Sequence, residues 1–346
     1  MNISLKIKKT LSYPLYYTKS AARFGYRKTE NDFLILMYHR VCRKRSNDYS
    51  LQEGMYVDPD TFAQQVRFLK NEFHVIPLEE MYSLHRSGSP MVHGKPFCVL
   101  TFDDGWKDFY ENAYPTLKFH DVCATVFLPT DYIGTKRMFW TEHLAHLIAG
   151  KKRRTGDLRV EEIPHHTMIG TIEKMRGPIE SKIEQAAEAL KSFPSEEIER
   201  IMVDLAERRQ VDPLSGATSF LSWEEIREMR LSGIVSFGSH TKSHRILTTV
   251  SEDGVRDELT RSRKKLIEEG AVSPSFIPFA YPNGNFTDRI AEMVEESGYH
   301  VALTTQKGWN QVARERGEFY KLKRIGIHQD MTSTNPMLAC RIYGIY

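Results

Sequence analysis

The chain has 346 residues, close to two ordinary domains of about 150 each and equally close to one large α/β barrel with an insertion. Hydrophobic residues are 40% and charged residues 27% of it, which excludes a disordered, collagenous or coiled-coil chain. Lys and Arg number 48 against 45 Asp and Glu, too even a balance for nucleic acid as the main partner.

The first segment, 1–32, is basic, with Lys6, Lys8, Lys9, Lys19, Arg23, Arg27 and Lys28. It lacks the apolar stretch and cleavage site of a secretory signal, and no later run reaches the roughly 20 apolar residues of a membrane span, so a cytoplasmic location is expected. Leu5, Ile7, Leu11, Leu15 and Tyr16 interleave with the lysines, so 1–28 is expected to make at most a weak peripheral membrane contact with anionic lipid. Cys42, Cys98, Cys123 and Cys340 form no CxxC pair, which favours free thiols in a reducing compartment.

Short apolar runs then recur at 33–39, 97–102, 124–129, 234–240, 276–282 and 300–305. Most are continuous rather than alternating, the pattern of parallel strands buried on both faces. Helical patterns separate them. Residues 60–71 put Phe62, Val66 and Leu69 on one face, and Ser222 to Glu225 spell a capping box for a helix closed by Gly233. Residues 252–269 and 287–297 are two more amphipathic helices. This alternation predicts an α/β chain, either a barrel or an open doubly wound sheet. Residues 131–219 break the rhythm and read as a mostly helical insertion, with helices near 178–192 and 195–210. Its KKRR run (151–154) and His165-His166 read as solvated surface.

Three motifs sit where predicted strands end, the rim on which parallel α/β folds build active sites. The first is Thr101-Phe102-Asp103-Asp104-Gly105. Adjacent carboxylates repel unless a cation or proton intervenes, so they point to a metal site, an ordinary polar turn being the alternative. The second, Ser239 to His244, places His240 and His244 four apart, as on one face of a helical turn. Aspartate with two histidines and open positions suits a Lewis-acid metal. The third, Phe279-Ala280-Tyr281-Pro282-Asn283-Gly284, is a rigid turn suited to a pocket wall. His39 and His328 also fall near strand ends.

In this order TFDDG, SHTKSH and FAYPNG resemble the polysaccharide deacetylases of the NodB-homology type, carbohydrate esterase family 4. LMYHRV (36–41), the stretch from Leu221 to Leu247, and the LTT and LKRIGI runs extend the resemblance over roughly 33–130 and 220–328. It implies a distorted (β/α) barrel formed by 33–130 and 220–346, interrupted by the insertion. It further implies Asp103 as general base, and Asp104, His240 and His244 as holders of a divalent metal, usually zinc. Thr241 would steady the histidine loop, and Tyr281, Pro282, Asn283 and Gly284 would line the substrate groove, with the Tyr281 N–H assisting the oxyanion. The general acid would be His328 or His39. Many members carry an arginine where Ala280 stands, so tuning of the base is expected to be local. The implied partner is an acetylated sugar or glycan, free or lipid-linked, that loses an acetyl group, N-acetyl first. A catalytically degenerate glycan-binding barrel keeping a structural metal is the alternative. A non-heme iron oxygenase would leave the second aspartate without a task.

Overall fold

The computed structural model describes residues 5–18, 32–44, 53–87, 94–149, 164–209, 220–311 and 316–345. The KKRR run and the basic residues from Lys19 to Lys28 lie outside them. The chain divides into two compact units, with 136–218 forming most of the second.

In the first unit the apolar runs form parallel strands β1 (Asp32–Tyr38), β2 (Phe97–Phe102), β3 (Ala124–Leu128), β4 (Val235–Ser239), β5 (Pro278–Ala280), β6 (Val301–Leu303) and β7 (Ile325–Gly326). The sheet follows sequence from β1 to β6, and β7 pairs with the far side of β1. Leu322, just before β7, bridges to Leu303 at the end of β6. The segment 322–326 therefore spans from one edge of the curled sheet to the other, as in an almost closed barrel. Around the strands run α1 (Leu5–Tyr17), α2 (Pro59–Glu72), α3 (Leu78–Ser87), α4 (Tyr114–His120), α5 (Trp223–Leu231), α6 (Glu252–Glu268), α7 (Asp288–Glu296) and α8 (Asn335–Ile342).

Local chemistry sets the helix ends. Asp58 caps α2 ahead of Pro59, and Ser222 with Glu225 forms the reciprocal capping box of α5. Phe62, Val66 and Leu69 of α2 are buried. Phe33 and Ile35 of β1, Val99 of β2, Phe127 of β3 and Leu303 of β6 share one cluster with Leu78 and Met81 of α3. Residues in register between them, such as Leu34 and Leu36, are buried as well, which is why these strands read as continuous runs. Helix α1 packs along α8 while its Leu5, Ile7 and Leu11 stay exposed. Among the described residues no helix is long and apolar enough to cross a membrane.

The second unit has its own core. Helices Trp140–Ala149, Pro164–Lys174, Ile179–Leu190 and Ser195–Arg209 bury Leu144, Ile169, Ile183, Leu190, Ile201 and Leu205 against one another.

Candidate active site

The sequence motifs converge at the C-terminal end of the sheet. After β2 the Asp103 N–H donates to the Tyr38 carbonyl at 3.0 Å, and Asp104 and Gly105 then turn the chain through left-handed backbone, φ 76° and 65°. Aspartate tolerates that region. Glycine is demanded at 105, where a Cβ would come within 2.8 Å of Leu128. Both carboxylates are buried.

The histidine segment after β4 is a loop, not the helical turn that the four-residue spacing suggested. Thr241 and His244 are left-handed, φ 65° and 58°. A buried carboxylate on α6 pins the reversal: Glu258 Oε2 accepts the N–H groups of Lys242 (2.9 Å) and Ser243 (2.8 Å), while the Ser243 hydroxyl donates to Oε1. The Thr241 N–H donates to Ser239 Oγ at 3.2 Å. Glu258 escaped the sequence reading. Its only signal was an acidic residue on the same helical face as Val255, Leu259 and Ser262, all buried.

These loops bring Asp104, His240 and His244 together, with one ligand atom of each within 4.8 Å of the others. His240 Nδ1 lies 2.8 Å from the Ala280 carbonyl, which can only accept, so Nδ1 carries the proton and the Nε2 lone pair is left for the site. That Nε2 is 3.5 Å from Asp104 Oδ1, and His244 Nε2 is 3.2 Å from the same oxygen. Burial drives the His240 imidazole down to about 4, so it is neutral near pH 7. A lone pair facing a buried carboxylate oxygen is repulsive without a cation between them. The donor set therefore fits a divalent ion with oxygen and imidazole ligands. Burial raises the Asp104 carboxyl, but His244, His39 and His240 outweigh it and hold the group well below the ordinary carboxylate range.

Asp103 has a partner that the sequence did not reveal. Arg324, fully buried on the 322–326 segment, donates Nη1 and Nη2 to the two Asp103 oxygens at 2.7 and 2.8 Å. Its Nε donates to the Thr304 carbonyl at 2.8 Å. Burial raises the Asp103 carboxyl; the Arg324 charge, with His240, the Arg324 hydrogen bonds and His39, reverses this and lowers it. The electrostatic support of Asp103 is thus not confined to its own loop. An arginine distant in sequence supplies it, and the only sequence signal was the Lys323-Arg324 pair inside the LKRIGI run.

His39 and His328 line one cavity together with Arg324. The His39 charge reaches both Asp103 and Asp104, whereas His328 Nδ1 is in close contact with Asp330 Oδ1. The groove assignment of 281–284 needs correction. Tyr281 is fully buried, its hydroxyl donates to the Tyr320 carbonyl, and its N–H donates to the Leu303 carbonyl as the sheet continues. Neither group is available to a substrate or an oxyanion. Pro282 is buried too, which leaves Asn283 exposed and Gly284 partly so. Gly284 (φ 76°) is required, since a Cβ there would collide with Thr305.

The polysaccharide deacetylase family model matches residues 92–302, more than half of the chain. YxkH of Bacillus subtilis, provisionally described as a polysaccharide deacetylase, is 23% identical over 303 residues, 87% of this chain and 73% of that one. The poly-beta-1,6-N-acetyl-D-glucosamine N-deacetylase of Staphylococcus epidermidis is 33% identical over 115 residues, 31% of this chain and 39% of that one. In fold, the chain is similar to the Streptococcus pyogenes deacetylase PplD, solved with acetate, at TM-score 0.57 and 21% identity over 89% of this chain and 98% of that one.

Proposed function

The chain belongs to the polysaccharide deacetylase family, and from that premise we propose that it hydrolyses N-acetyl groups of an amino-sugar glycan with the aid of a divalent ion, zinc first. The observation that carries this reading is the convergence of buried Asp104 and His240 with half-buried His244 beside an ionised, arginine-held Asp103. The name of the staphylococcal relative supports N-acetyl over O-acetyl. Bound by Asp104, His240 and His244, the ion would supply Lewis acidity toward the acetyl carbonyl and acidify water. Asp103 accepts the proton that water releases as it adds to the carbonyl carbon. Arg324 keeps that carboxylate ionised and fixes its plane, which makes it a weak base suited to an already acidified proton. When the C–N bond breaks, acetate leaves on one side and the amine must depart protonated. His39 and His328 are the candidates for that donation, both lining the cavity beside Arg324. The glycan is free or lipid-linked; exposed Leu5, Ile7 and Leu11 beside Lys6 and Lys9 on α1 support a contact with anionic lipid.

The test is acetate release from N-acetylglucosamine oligomers by the full chain. Release should vanish on chelation and return with zinc; metal-loaded protein that releases no acetate from any acetylated glycan overturns the reading. The same assay separates the two histidines. The acid is the one whose glutamine variant loses amide hydrolysis by about 10²-fold or more yet still cleaves nitrophenyl acetate, whose leaving group needs no proton.

A further inference from the structure

Residues 1–28 hold seven of the 48 Lys and Arg of the chain and none of its 45 Asp and Glu, so the remainder is net acidic. Such asymmetry marks a basic segment for an anionic partner, and helix α1 shows which kind. Its buried Ser12 and half-buried Lys8, Leu15 and Tyr16 share the arc turned to the protein. Ile7, Leu11 and Pro14, spaced i, i+4 and i+7, lie on the opposite arc, with Lys6, Tyr13 and Tyr17 beside them, all exposed. A nucleic acid would take the charge but has no use for exposed Ile7 and Leu11. A second copy of this chain would set two such basic segments against each other. An anionic bilayer suits both features. The lysines reach its headgroups, the aliphatic side chains enter the acyl boundary, and the tyrosines sit between the two.

Helix α1 is also tied to the candidate active site. Lys8 Nζ lies 3.9 Å from Met331 Sδ, the Met331 N–H donates to the His328 carbonyl at 3.2 Å, and the Lys8 charge reaches Lys307. His328 and Lys307 line the cavity that holds His39 and Arg324. The first turns of the helix therefore border that cavity, and a bilayer bound along α1 comes to lie next to its rim.

We infer that α1 seats the chain on an anionic membrane surface and holds the active site there, so that the glycan it acts on is membrane-attached rather than free. The inference rests on the deacetylase reading for what the site does to that glycan.

The full chain, loaded with zinc, is mixed with vesicles of phosphatidylcholine alone or of phosphatidylcholine and phosphatidylglycerol in equal parts, and co-sedimentation is measured. Acetate release is followed from an N-acetylglucosamine oligomer tethered to a vesicle lipid and from the same oligomer free. The wild type should sediment with the anionic vesicles, and less so as salt rises. Lys6→Gln/Lys9→Gln and Ile7→Ser/Leu11→Ser should each weaken that binding about tenfold or more, with metal content and melting temperature unchanged. Enzyme and substrate gathered on one surface should react about tenfold or more faster than in solution, and both variants should lose that gain while cleaving the free oligomer as the wild type does. Absence of sedimentation, binding that neither variant weakens, or equal cleavage of tethered and free oligomers by vesicle-bound wild type overturns the inference. Vesicle binding that both variants weaken, with no acetate from either oligomer, would instead leave α1 as the membrane contact and remove the deacetylase reading.

Discussion

Asp103 and Asp104 are neighbours of one residue type to which the proposed function gives opposite tasks, and they differ in what each touches. Asp103 is clasped by Arg324, while Asp104 faces two imidazole nitrogens and accepts the Trp106 indole N–H at 3.1 Å. Asp103→Asn keeps the shape but removes basicity, so kcat should fall by at least ~10²-fold while metal content is unchanged. Asp104→Asn should lose both, because a neutral amide oxygen is a much weaker zinc ligand. Arg324→Gln should retain metal, lose activity and lower stability, since removing one partner of a buried pair costs about 3–5 kcal/mol. Metal content, turnover and melting temperature measured together on the three variants decide this. Normal turnover by Asp103→Asn, or metal loss from it alone, would sink the assignment. The two aspartates and two histidines were legible because each motif is contiguous and ends a strand. Arg324 was not, because its partnership spans 221 positions and depends on how the sheet closes.

At the scale of elements, one helix shapes a loop that it does not adjoin in sequence. A four-residue histidine spacing suits a helical turn and a folded-back loop equally, and the outcome depends on Glu258 of α6 gathering the Lys242 and Ser243 amides. Glu258→Gln puts an NH₂ group where an acceptor is needed. It should weaken metal binding by about 10–100-fold, the range seen when groups supporting the ligands are removed, with helix content preserved. Full metal affinity in that variant would show that the loop holds itself. The α3 helix carries a separate titration. His85 is buried among Phe33 and Phe319, and desolvation lowers its imidazole to about 4, although Glu318 acts in the opposite direction. The unfolded chain, with an ordinary histidine value near 6.5, then binds more protons than the native one as pH falls from about 6.5 to 4. Stability should decrease across that window by at most about 1.4 kcal/mol per pH unit from this group. His85→Leu should flatten the slope there, and an unchanged denaturation profile would refute the neutral buried state.

For the whole molecule, strand–helix alternation was sufficient to expect an α/β chain but left a barrel and an open doubly wound sheet both open, the family resemblance pointing to the barrel. Its closure by 322–326 depends on a single bridge and two residue pairs that no local pattern announces. The interruption of the alternation was equally plain, and its physical basis is a second hydrophobic core. The helices between Trp140 and Arg209 bury Leu144, Ile183, Ile201 and Leu205 among themselves, whereas the strands bury Phe33, Val99 and Phe127 in a cluster of their own. Two cores with separate membership can fold separately. Replacing 136–218 by a short linker should therefore leave a folded barrel that still binds one divalent ion per chain through Asp104, His240 and His244. The deleted unit holds none of these ligands, so kcat on a short acetylated sugar should change less than KM on a polymer, which has more surface to lose. A folded deletion variant that no longer holds metal would make the second unit part of the site. One that treats polymer and short sugar as the intact chain does would deprive it of any part in substrate choice.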